Sequence, residues 1–511
     1  MDLGKLFLGI EFGSTRIKGV LIDEKGEVIS VGGTGWENKL ENGVWTYGLD
    51  EVKYGLQNTY SEIKKDMKSK YGITITTLGG IGISGMMHGY MPFDKDDNLL
   101  SPFRTWRNTI TEQASKILTE KFGFHIPQRW SIAHLYQSIL NGESHLKDLS
   151  YITTLAVYVH KLLTNEFVVG VGEGSGMFPI DSAKNDYNEK MIEEFENMTN
   201  LNLKTLLPKV LVAGENAGLL TESGAKLLDV DGDLQPGIPF CPPEGDAGTG
   251  MVATNSVKKR TGNVSAGTSI FAMAVLERPL SKLHEEIDVV TTPCGKDVAM
   301  VHCNNCTSDI NAWADVFKQV SGKDDIYTYM FKMAEQGDND CGGIVSCNYL
   351  SGEHLTGCDY GMPMVLRGAD SKFTPSNFFR NLIYSSMATL KLGMEILTDD
   401  EHISLDQITG HGGLFKTEGV GASIMASALN VPVTVQTNAG EGGAWGIAVL
   451  ALYMANKGNR ELYEFLEELF SNSESKTYQP NEEIANGFKQ YICNYKKILK
   501  VEQKALEVYK D

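Results

Sequence analysis

Residues 242–250 read Pro-Pro-Glu-Gly-Asp-Ala-Gly-Thr-Gly, and this stretch sets the carboxylate of Asp246 between Gly245 and Gly248. Two prolines stiffen the approach, and the chain beyond is predicted to be helical to about Ala253. An acid between glycines at a helix start lets the backbone and a substrate come close together. The alternative is an Asp that only caps the helix. Motifs elsewhere in the chain favour the first interpretation.

A short turn near the N-terminus, Gly13-Ser14-Thr15, lies between two predicted strands, Leu6–Ile10 and Ile17–Asp23. Its backbone amides and two hydroxyl groups converge on one point, which is the arrangement of a phosphate-binding nest. Glu11, at the edge of this turn, offers a carboxylate for Mg²⁺ or its water shell. Taken alone, the pattern also fits an ordinary β-hairpin with a glycine turn.

The same pattern returns half a chain later, where predicted strands Arg260–Val264 and Ile270–Leu276 flank the turn Ser265–Ser269. This turn holds Gly267 and Thr268, so a glycine again precedes two hydroxyl residues. One such hairpin near the start of each half predicts a duplicated α/β fold. Two turns of this kind, facing each other across a cleft, are suited to holding the phosphates of one nucleotide.

A second group of motifs predicts a sugar-binding side. The apolar strand Gly79–Ser84 runs out into Gly-Met-Met-His-Gly, which places Met87 and His88 at the end of a sheet, where α/β proteins bind ligands. Further on, Trp106 offers an aromatic face and Asn108 a hydrogen-bonding amide, a mixture that suits sugars. The alternatives are a packed histidine and a surface tryptophan.

Two later glycine-rich segments are assigned to the nucleotide side or to packing. A predicted strand, Gln407–Thr409, runs into Gly410–Leu414, where Gly412 and Gly413 would let the backbone lie against a ribose or an α-phosphate. Residues Asn438–Gly446 precede an apolar helix, and their glycines fit close helix packing and approach to an adenine equally well.

Among the helices predicted from apolar residues at helical spacing are Val52–Tyr71 and residues 482–509. One face of the first is formed by Tyr54, Leu56, Tyr60, Ile63 and Met67. One face of the second is formed by Ile484, Phe488, Tyr491, Tyr495 and Ile498. The glycine-rich run Gly170–Gly176 is interpreted instead as turns that border the sugar cleft.

Composition narrows the classes of partner. The formal net charge of −19 over 511 residues argues against nucleic acid and anionic membrane. The N-terminal apolar patch is too short for a signal peptide, and the longest apolar run, Ala444–Ala455, is too short to cross a bilayer. Cys303 and Cys306 lack a second pair at zinc-site spacing, so reduced thiols and a cytoplasmic location are expected.

Taken together, the motifs resemble those of the FGGY family of carbohydrate kinases, in family order and over nearly the whole chain. The matching segments are Gly9–Thr15, Met87–Gly89, Trp106, Gly245–Gly248, Ser265–Ser269, Leu350–Glu353, Gly410–Gly413 and Glu441–Gly446. Within the family, Met87-His88-Gly89 is similar to the sugar-contacting segment of xylulokinases. Glycerol kinases usually carry Asn-Gln-Arg there, so a ketose kinase fits better.

The resemblance implies a two-domain duplicated ribonuclease-H-like fold, as in actin, Hsp70 and hexokinase, with a cleft between the lobes. It implies transfer of a phosphoryl group from ATP to a sugar hydroxyl, with Mg²⁺ bound by Glu11 and Asp246. Asp246 would be the catalytic base and would also contact the sugar. The nucleotide would be held by Gly13, Ser14, Thr15, Gly267, Thr268, Gly412 and Gly413. The sugar would be held by Met87, His88, Trp106 and Asn108.

The chain departs from the family pattern at three places. Glu11 stands where an Asp is usual, so its carboxylate reaches one methylene further. Arg107 and Asn108 replace the usual Asn-Asp after the tryptophan, which leaves the identity of the sugar open. The first family signature is poorly met around Trp130–Leu140.

The domains are expected at residues 1–243, on the sugar side, and 244–475, on the nucleotide side, with 476–511 a helix that packs back on the body. D-xylulose is the first substrate candidate, followed by another ketose such as ribulose, a polyol, or a sugar acid such as gluconate. Two other classes of protein remain as alternatives: an actin-like or Hsp70-like ATPase that phosphorylates no sugar, and a sugar-binding regulator. A homodimer is the default oligomeric expectation.

Overall fold

The computed structural model describes residues 2–436 and 442–509. These residues form two compact units that interleave along the chain. The first unit comprises Met1–Val257, Asp288–Val298 and Gly440–Asn472, and the second comprises Lys258–Ile287, Ala299–Ala439 and Ser473–Asp511. The predicted consecutive domains, with boundaries at 243 and 475, stay a prediction.

The strands are numbered in chain order. They are β1 Phe7–Phe12, β2 Arg16–Ile22, β3 Val28–Gly35, β4 Lys39–Glu41, β5 Val44–Thr46, β6 Gly80–Gly85, β7 Met91–Phe93, β8 Tyr151–Thr153, β9 Val168–Gly170, β10 Ile180–Asp181, β11 Asp186–Tyr187, β12 Lys209–Leu211, β13 Glu244–Gly245, β14 Thr261–Ala266, β15 Ile270–Val275, β16 Asp288–Thr291, β17 Asp297–Cys303, β18 Ile344–Cys347, β19 Met364–Arg367, β20 Gln407–Gly412, β21 Val433–Gln436 and β22 Ser475–Tyr478.

The α-helices are numbered in the same way. They are α1 Leu49–Tyr71, α2 Glu112–Phe122, α3 Ser131–Leu140, α4 Leu155–Thr164, α5 Val171–Gly174, α6 Glu189–Thr199, α7 Leu203–Leu206, α8 Glu222–Leu228, α9 Asp246–Ala253, α10 Ser308–Ser321, α11 Ile326–Ala334, α12 Pro375–Glu395, α13 Val420–Leu429, α14 Gly442–Asn456, α15 Leu462–Leu469 and α16 Glu482–Tyr509.

The main sheet of the first unit has the strand order β13-β6-β1-β2-β3. Its central strand, β1, pairs antiparallel with β2 and parallel with β6, and β6 pairs parallel with β13. The carboxyl ends of three parallel strands therefore meet at one edge of this sheet, which is where open α/β sheets bind ligands.

In the second unit, strands follow one another in the order β17-β15-β14-β20-β21-β22. Here β14 pairs antiparallel with β15 and parallel with β20, and β20 pairs parallel with β21. The strand β14 thus occupies the same topological position as β1 in the first unit. This repeated topology confirms the duplicated α/β fold that the two glycine-hydroxyl turns predict.

Helix α1 shows how the hydrophobic pattern sets the helices. Its buried face includes Leu56, Tyr60, Ile63 and Met67, at the predicted helical spacing. The helix ends at Gly72, whose φ of 69° is the left-handed conformation of a helix C-cap. Tyr54, which we assigned to the same face, is instead 63% exposed.

Helix α14 lies unusually close to helix α9, because glycine removes the side chain at the contact. A Cβ atom on Gly446 would lie 2.1 Å from the carbonyl oxygen of Thr249 in α9. Of the two roles that the sequence left open for this glycine, close helix packing is therefore the one that the structure shows. Residues 438–441 of the same glycine-rich run lie outside the described residues.

We expect Gly446→Ala to lower the free energy of unfolding by about 1–3 kcal/mol, because the added methyl group meets backbone that has little room to move. Urea denaturation followed by circular dichroism measures this change. The matched control is Gly250→Ala in the facing helix, where a Cβ atom would meet nothing within 4 Å. Equal stability of Gly446→Ala and the wild type would show that the helices separate at little cost.

Helix α16 has the bounds predicted for it and belongs to the second unit. Its buried side chains include Phe488, Tyr491, Tyr495 and Ile498, all from the predicted apolar face. Among the described residues, none of the helices combines the length and apolar composition that a bilayer span needs. Cys303 and Cys306 are buried free thiols in this unit's core.

Candidate active site

Three of the predicted site segments meet at the carboxyl edge of the first sheet. In the parallel register, Glu11 of β1 lies opposite Ser84 of β6, and Glu244 of β13 lies opposite the same Ser84. Each strand then runs into a predicted motif: β1 into the Gly13 turn, β6 into Met87, and β13 into Asp246. The strand register therefore brings these segments together although they are far apart in sequence.

Asp246 is the first residue of α9, and backbone amides fix its position. Its Oδ1 atom accepts hydrogen bonds from the amides of Met87 and Ala247, both at 3.0 Å. The side chain is nevertheless exposed. Desolvation by the surrounding protein raises the pKa of Asp246, although the hydrogen bond from Met87 works against this rise. An accessible carboxylate with a raised pKa is suited to accept a proton from an alcohol.

Glu11 is half-buried and is the last residue but one of β1, just before the Gly13 turn. Its Oε2 atom accepts a hydrogen bond of 3.2 Å from the amide of Ala444 in α14. Burial and the nearby Asp246 carboxylate raise the pKa of Glu11 to about 7, while the Ala444 amide and Lys18 lower it in part. A Cβ atom on Gly443 would lie 2.2 Å from Glu11 Oε1, so this position needs glycine.

The surroundings of Glu11 and Asp246 fit one divalent cation that also binds phosphate. Within residues 2–436 and 442–509, no three or more His, Cys, Asp or Glu side chains are grouped as metal ligands. Magnesium commonly binds proteins through only one or two carboxylates, with substrate phosphates and water as the other ligands. Because the Asp246 carboxylate raises the pKa of Glu11, a cation bound by both would relieve the repulsion between them.

Two buried carboxyl groups near Asp246 were not predicted. Glu173 of α5 and Glu244 of β13 are 0% and 1% exposed. Glu244 accepts hydrogen bonds from the amides of Gly172, at 3.3 Å, and Glu173, at 2.9 Å. Burial, with Asp246 and Glu244 nearby, raises the pKa of Glu173 well above its usual range, although the Thr154 hydroxyl lowers it in part.

Glycines make room for these two carboxyl groups. A Cβ atom on Gly170 or Gly172 would lie 2.3 or 2.4 Å from an oxygen of Glu244, and one on Gly245 would lie 2.4 Å from Glu173. The run that we interpreted as turns contains the end of β9 and the short helix α5 instead. Two of its glycines lie against the buried carboxyl group of Glu244. Glu173 stands among glycines in the sequence, and this pattern is the feature from which a buried carboxyl group could have been predicted.

We expect the stability of the wild type to fall more steeply with rising pH than that of Glu173→Gln. Above about pH 4.3, the ordinary pKa of a glutamate, the unfolded chain releases this proton while the folded chain retains it. Because the unfolded state then binds fewer protons, the free energy of unfolding falls until the pH reaches the folded-state pKa. The variant has no ionisable group at this position, so part of that fall disappears.

Urea unfolding between about pH 5 and about pH 8 measures both slopes. Some slope remains in the variant, because burial also raises the pKa of Glu244 to about 8. The control is Glu27→Gln, an exposed carboxylate that solvent surrounds in both states. Identical slopes for the wild type and Glu173→Gln would mean that Glu173 is ionised in the folded protein.

The predicted sugar segment after β6 adopts a strained backbone. His88 has a φ of 73°, a left-handed conformation that is rare for residues other than glycine and is often found at functional sites. Its ring is stacked on Trp130, with ring centroids 6.3 Å apart. A Cβ atom on Gly176 would lie 2.6 Å from His88 Nδ1 and 2.8 Å from Met87 Cε. The glycine-rich run therefore also lies against the predicted sugar contacts.

Trp106 and Asn108 lie in the segment beside this one. Tyr90 and Arg104 exchange two backbone hydrogen bonds, of 2.9 and 3.1 Å, which join the two segments. Trp106 is 39% exposed. Asn108 is buried, and it donates to the backbone oxygen of Trp45 and accepts from its amide, at 2.8 and 2.9 Å. With these two hydrogen bonds the Asn108 side chain holds the backbone of Trp45 in β5. Its contact with a sugar stays a prediction.

The first predicted phosphate turn lies between β1 and β2. The amide of Gly13 donates a hydrogen bond of 3.1 Å to the carbonyl oxygen of Arg16, which closes the turn. Ser14 is half-buried and Thr15 is exposed. The turn therefore presents the Thr15 hydroxyl group and part of its backbone to solvent. It directly follows β1, the strand that carries Glu11.

The second predicted phosphate turn belongs to the other unit and is built in the same way. The amide of Gly267 donates a 2.9 Å hydrogen bond to Ser269. The carbonyl oxygen of Gly267 accepts from the hydroxyl and the amide of Thr307, at 2.7 and 3.0 Å, and that of Thr268 accepts from Cys306 at 2.9 Å. Thr268 is exposed, as Thr15 is in the first turn.

Gly412 and Gly413 lie beside this second turn. In the parallel pairing of β14 with β20, Ala266 lies opposite Gly412. The φ of Gly412 is 103°, and a Cβ atom there would lie 2.4 Å from the carbonyl oxygen of Ala266. Only glycine fits this approach. The structure thus groups the four predicted nucleotide residues of the second unit at one end of its central strands.

Sequence and structure comparisons place the chain among known proteins. Sequence models of the FGGY family of carbohydrate kinases match residues 6–252, for the N-terminal domain, and 262–455, for the C-terminal domain. A protein named xylulose kinase from Haemophilus influenzae is 24% identical over 507 residues, which cover 96% of this chain and 99% of that protein.

Two solved structures from Lactobacillus acidophilus are similar over nearly the whole length. A ligand-bound xylulose kinase has a TM-score of 0.81 at 17% identity and covers 99% of both chains. A gluconate kinase has a TM-score of 0.80 at 17% identity and covers 98% of both chains. These likenesses confirm the predicted two-domain, duplicated ribonuclease-H-like fold.

Proposed function

Because the chain belongs to the FGGY family of carbohydrate kinases, we propose that it transfers the γ-phosphoryl group of ATP to a primary hydroxyl of a ketose. D-xylulose is the first candidate, which the similarity to a protein named xylulose kinase supports. The similarity to a gluconate kinase structure keeps a sugar acid as the second candidate.

Asp246 is the proposed general base. An oxygen–phosphorus bond forms between the sugar hydroxyl and the γ-phosphorus, the bond from that phosphorus to the β,γ-bridging oxygen breaks, and ADP leaves. The hydroxyl proton passes to the Asp246 carboxylate. The observation that carries this assignment is an exposed carboxylate with Oδ1 held by two amides, which leaves Oδ2 to face the substrate. Its raised pKa makes it a stronger base than an ordinary aspartate.

The two turns are proposed to hold the phosphates. Amides at Gly13–Thr15 and Gly267–Thr268 donate to oxygens of the β- and γ-phosphates, with the hydroxyl groups of Thr15 and Thr268 as further donors. Gly412 and Gly413 leave room for the nucleotide at the ribose or the α-phosphate. Glu11 and Asp246 are the proposed carboxylates for Mg²⁺, which when bound offsets the charge on the transferred group.

The sugar is proposed to lie against Met87 and His88, with Trp106 and Asn108 in the adjoining segment. The strained His88 backbone supports this assignment, because strain of this kind is retained where a site needs a particular side-chain direction. A cytoplasmic location and a homodimer are part of the same proposal.

A coupled assay of ADP release, run with ketoses, alditols and aldonic acids in parallel, tests the function. The proposal expects the highest kcat/KM with a ketose. Highest activity with an aldonic acid would replace the ketose by the second candidate. ATP turnover that no sugar, alditol or aldonic acid accelerates would overturn the proposal.

A further inference from the structure

Two buried aromatic side chains hold the first phosphate turn from one side. The indole Nε1 of Trp36 donates a 2.7 Å hydrogen bond to the carbonyl oxygen of Gly13. The hydroxyl of Tyr47 donates a 2.6 Å hydrogen bond to the carbonyl oxygen of Ser14. The backbone amide of Trp36 also donates to Thr15, at 3.2 Å. All three carbonyl groups of the turn therefore accept hydrogen bonds from residues 36 and 47.

The two aromatic rings also support each other. Trp36 and Tyr47 are stacked, with ring centroids 4.1 Å apart, and they are 8% and 3% exposed. Phe12 lies edge-on to Trp36, and Phe103 lies 6.3 Å from Tyr47. Burial raises the pKa of Tyr47 to about 12, so its hydroxyl keeps its proton and stays a donor at any physiological pH. The pair is thus rigid and its hydrogen-bond direction is fixed.

The geometry of the peptide bond turns this support into an effect on the amides. In a planar trans peptide, the carbonyl oxygen of one residue and the N–H of the next point in opposite directions. Holding the Gly13 carbonyl toward Trp36 therefore directs the Ser14 N–H away from Trp36. Holding the Ser14 carbonyl toward Tyr47 directs the Thr15 N–H away from Tyr47.

We propose that Trp36 and Tyr47 are positioning residues that aim the amides of Ser14 and Thr15 at the nucleotide phosphates. This inference rests on the proposed kinase function and adds two residues to its nucleotide site. Fixed donors bind an anion without the entropy of ordering a loose turn, so the benefit is in the affinity for phosphate.

The second turn supports the inference independently. There, the carbonyl oxygens of Gly267 and Thr268 are held by Thr307 and by the amide of Cys306. By the same peptide geometry, the N–H groups of Thr268 and Ser269 point away from those donors. Two turns with the same glycine-hydroxyl pattern thus have the same arrangement, although their donors are chemically different.

The decisive variant is Tyr47→Phe, which removes one hydroxyl and keeps the ring and its stacking. The matched control is Tyr60→Phe in α1 of the same unit, because the hydroxyl of Tyr60 is buried and makes no hydrogen bond within the described residues. Trp36→Phe is a second test, since it removes the indole donor to Gly13. Isothermal calorimetry measures the dissociation constants of a non-hydrolysable ATP analogue with Mg²⁺ and of AMP.

The inference expects Tyr47→Phe to raise the dissociation constant of the triphosphate analogue about threefold to tenfold, which is the usual effect of losing one hydrogen bond. The dissociation constant of AMP and the KM for the sugar should stay unchanged, because AMP lacks the β- and γ-phosphates. The readout is the ratio of the dissociation constant of the triphosphate analogue to that of AMP. A general loss of folded protein lowers kcat but leaves this ratio unchanged, so the ratio separates a positioning role from an effect on stability.

The outcomes distinguish the inference from the function on which it rests. An unchanged ratio in Tyr47→Phe, with a wild type that phosphorylates sugar, would overturn the inference and leave the kinase function standing. Equal weakening by Tyr47→Phe and Tyr60→Phe would also overturn it. If the wild type binds neither the triphosphate analogue nor any sugar, the proposed function fails and the inference fails with it.

Discussion

Asp246→Asn is expected to slow sugar phosphorylation at least ~10²-fold, the usual effect of losing a general base. The substitution removes the basic group alone, because asparagine keeps a carbonyl oxygen that can accept the hydrogen bonds from the amides of Met87 and Ala247. The side chain should therefore stay in place, while its NH₂ group, whose nitrogen lone pair is delocalised into the carbonyl group, does not accept a proton at neutral pH. The coupled ADP-release assay measures kcat, and calorimetry measures the binding of sugar and nucleotide.

Binding of both substrates should change far less than kcat in this variant. The control is Asp96→Asn, an exposed aspartate in the same unit. A variant that turns over within a few-fold of the wild type would assign the proton to another acceptor. Glu173 and Glu244 would not replace Asp246 in that role, because both are buried away from solvent.

Glu11→Gln should have the second largest effect, at least about a tenfold loss of kcat/KM at neutral pH. The basis is that loss of groups around a bound metal commonly costs 10- to 100-fold. Glutamine removes the negative charge of the side chain and keeps its shape. It also keeps an oxygen that can accept the hydrogen bond from the Ala444 amide. Titration of the rate with Mg²⁺ at saturating ATP should show a higher half-saturating Mg²⁺ concentration in the variant.

The pH dependence of this titration gives a second and sharper readout. Burial and the nearby Asp246 carboxylate raise the pKa of Glu11 to about 7, so in the wild type the carboxylate is increasingly protonated below that pH. Because a proton and Mg²⁺ compete for the same carboxylate, the apparent Mg²⁺ affinity should fall up to about tenfold per pH unit below that pKa. Glu11→Gln should show a smaller fall, because only the Asp246 carboxylate remains there to bind a proton. Parallel pH profiles in both proteins would exclude Glu11 as a metal ligand.

The arrangement at the sheet edge was predictable from the sequence for a general reason. Glu11 and Met87 lie at or just after the ends of short apolar strands, and the carboxyl ends of parallel strands meet at one edge. Local pattern therefore groups these two residues. Asp246 follows the two-residue strand Glu244–Gly245, which the sequence did not predict, so it was grouped with Glu11 through the family resemblance. The same reasoning grouped Gly267 with Gly412, which the parallel pairing of β14 and β20 places side by side.

What sequence reasoning missed depends on contacts between distant residues. Glu173 is one glutamate among many until the fold buries it beside Glu244. Trp36 and Tyr47 have ordinary positions after strands, and only the folded chain directs their donors to Gly13 and Ser14. Tyr54 fits helical spacing but lies at the edge of the apolar stripe, where periodicity does not separate buried from exposed positions.

The most direct test of the central claim is a crystal structure of the protein with D-xylulose and a non-hydrolysable ATP analogue. The account predicts that Asp246 Oδ2 accepts a hydrogen bond from a primary hydroxyl of the sugar, with that hydroxyl in line with the γ-phosphorus and its bridging oxygen. A complex with the reacting hydroxyl beside another side chain, and Asp246 out of hydrogen-bond reach, would contradict it.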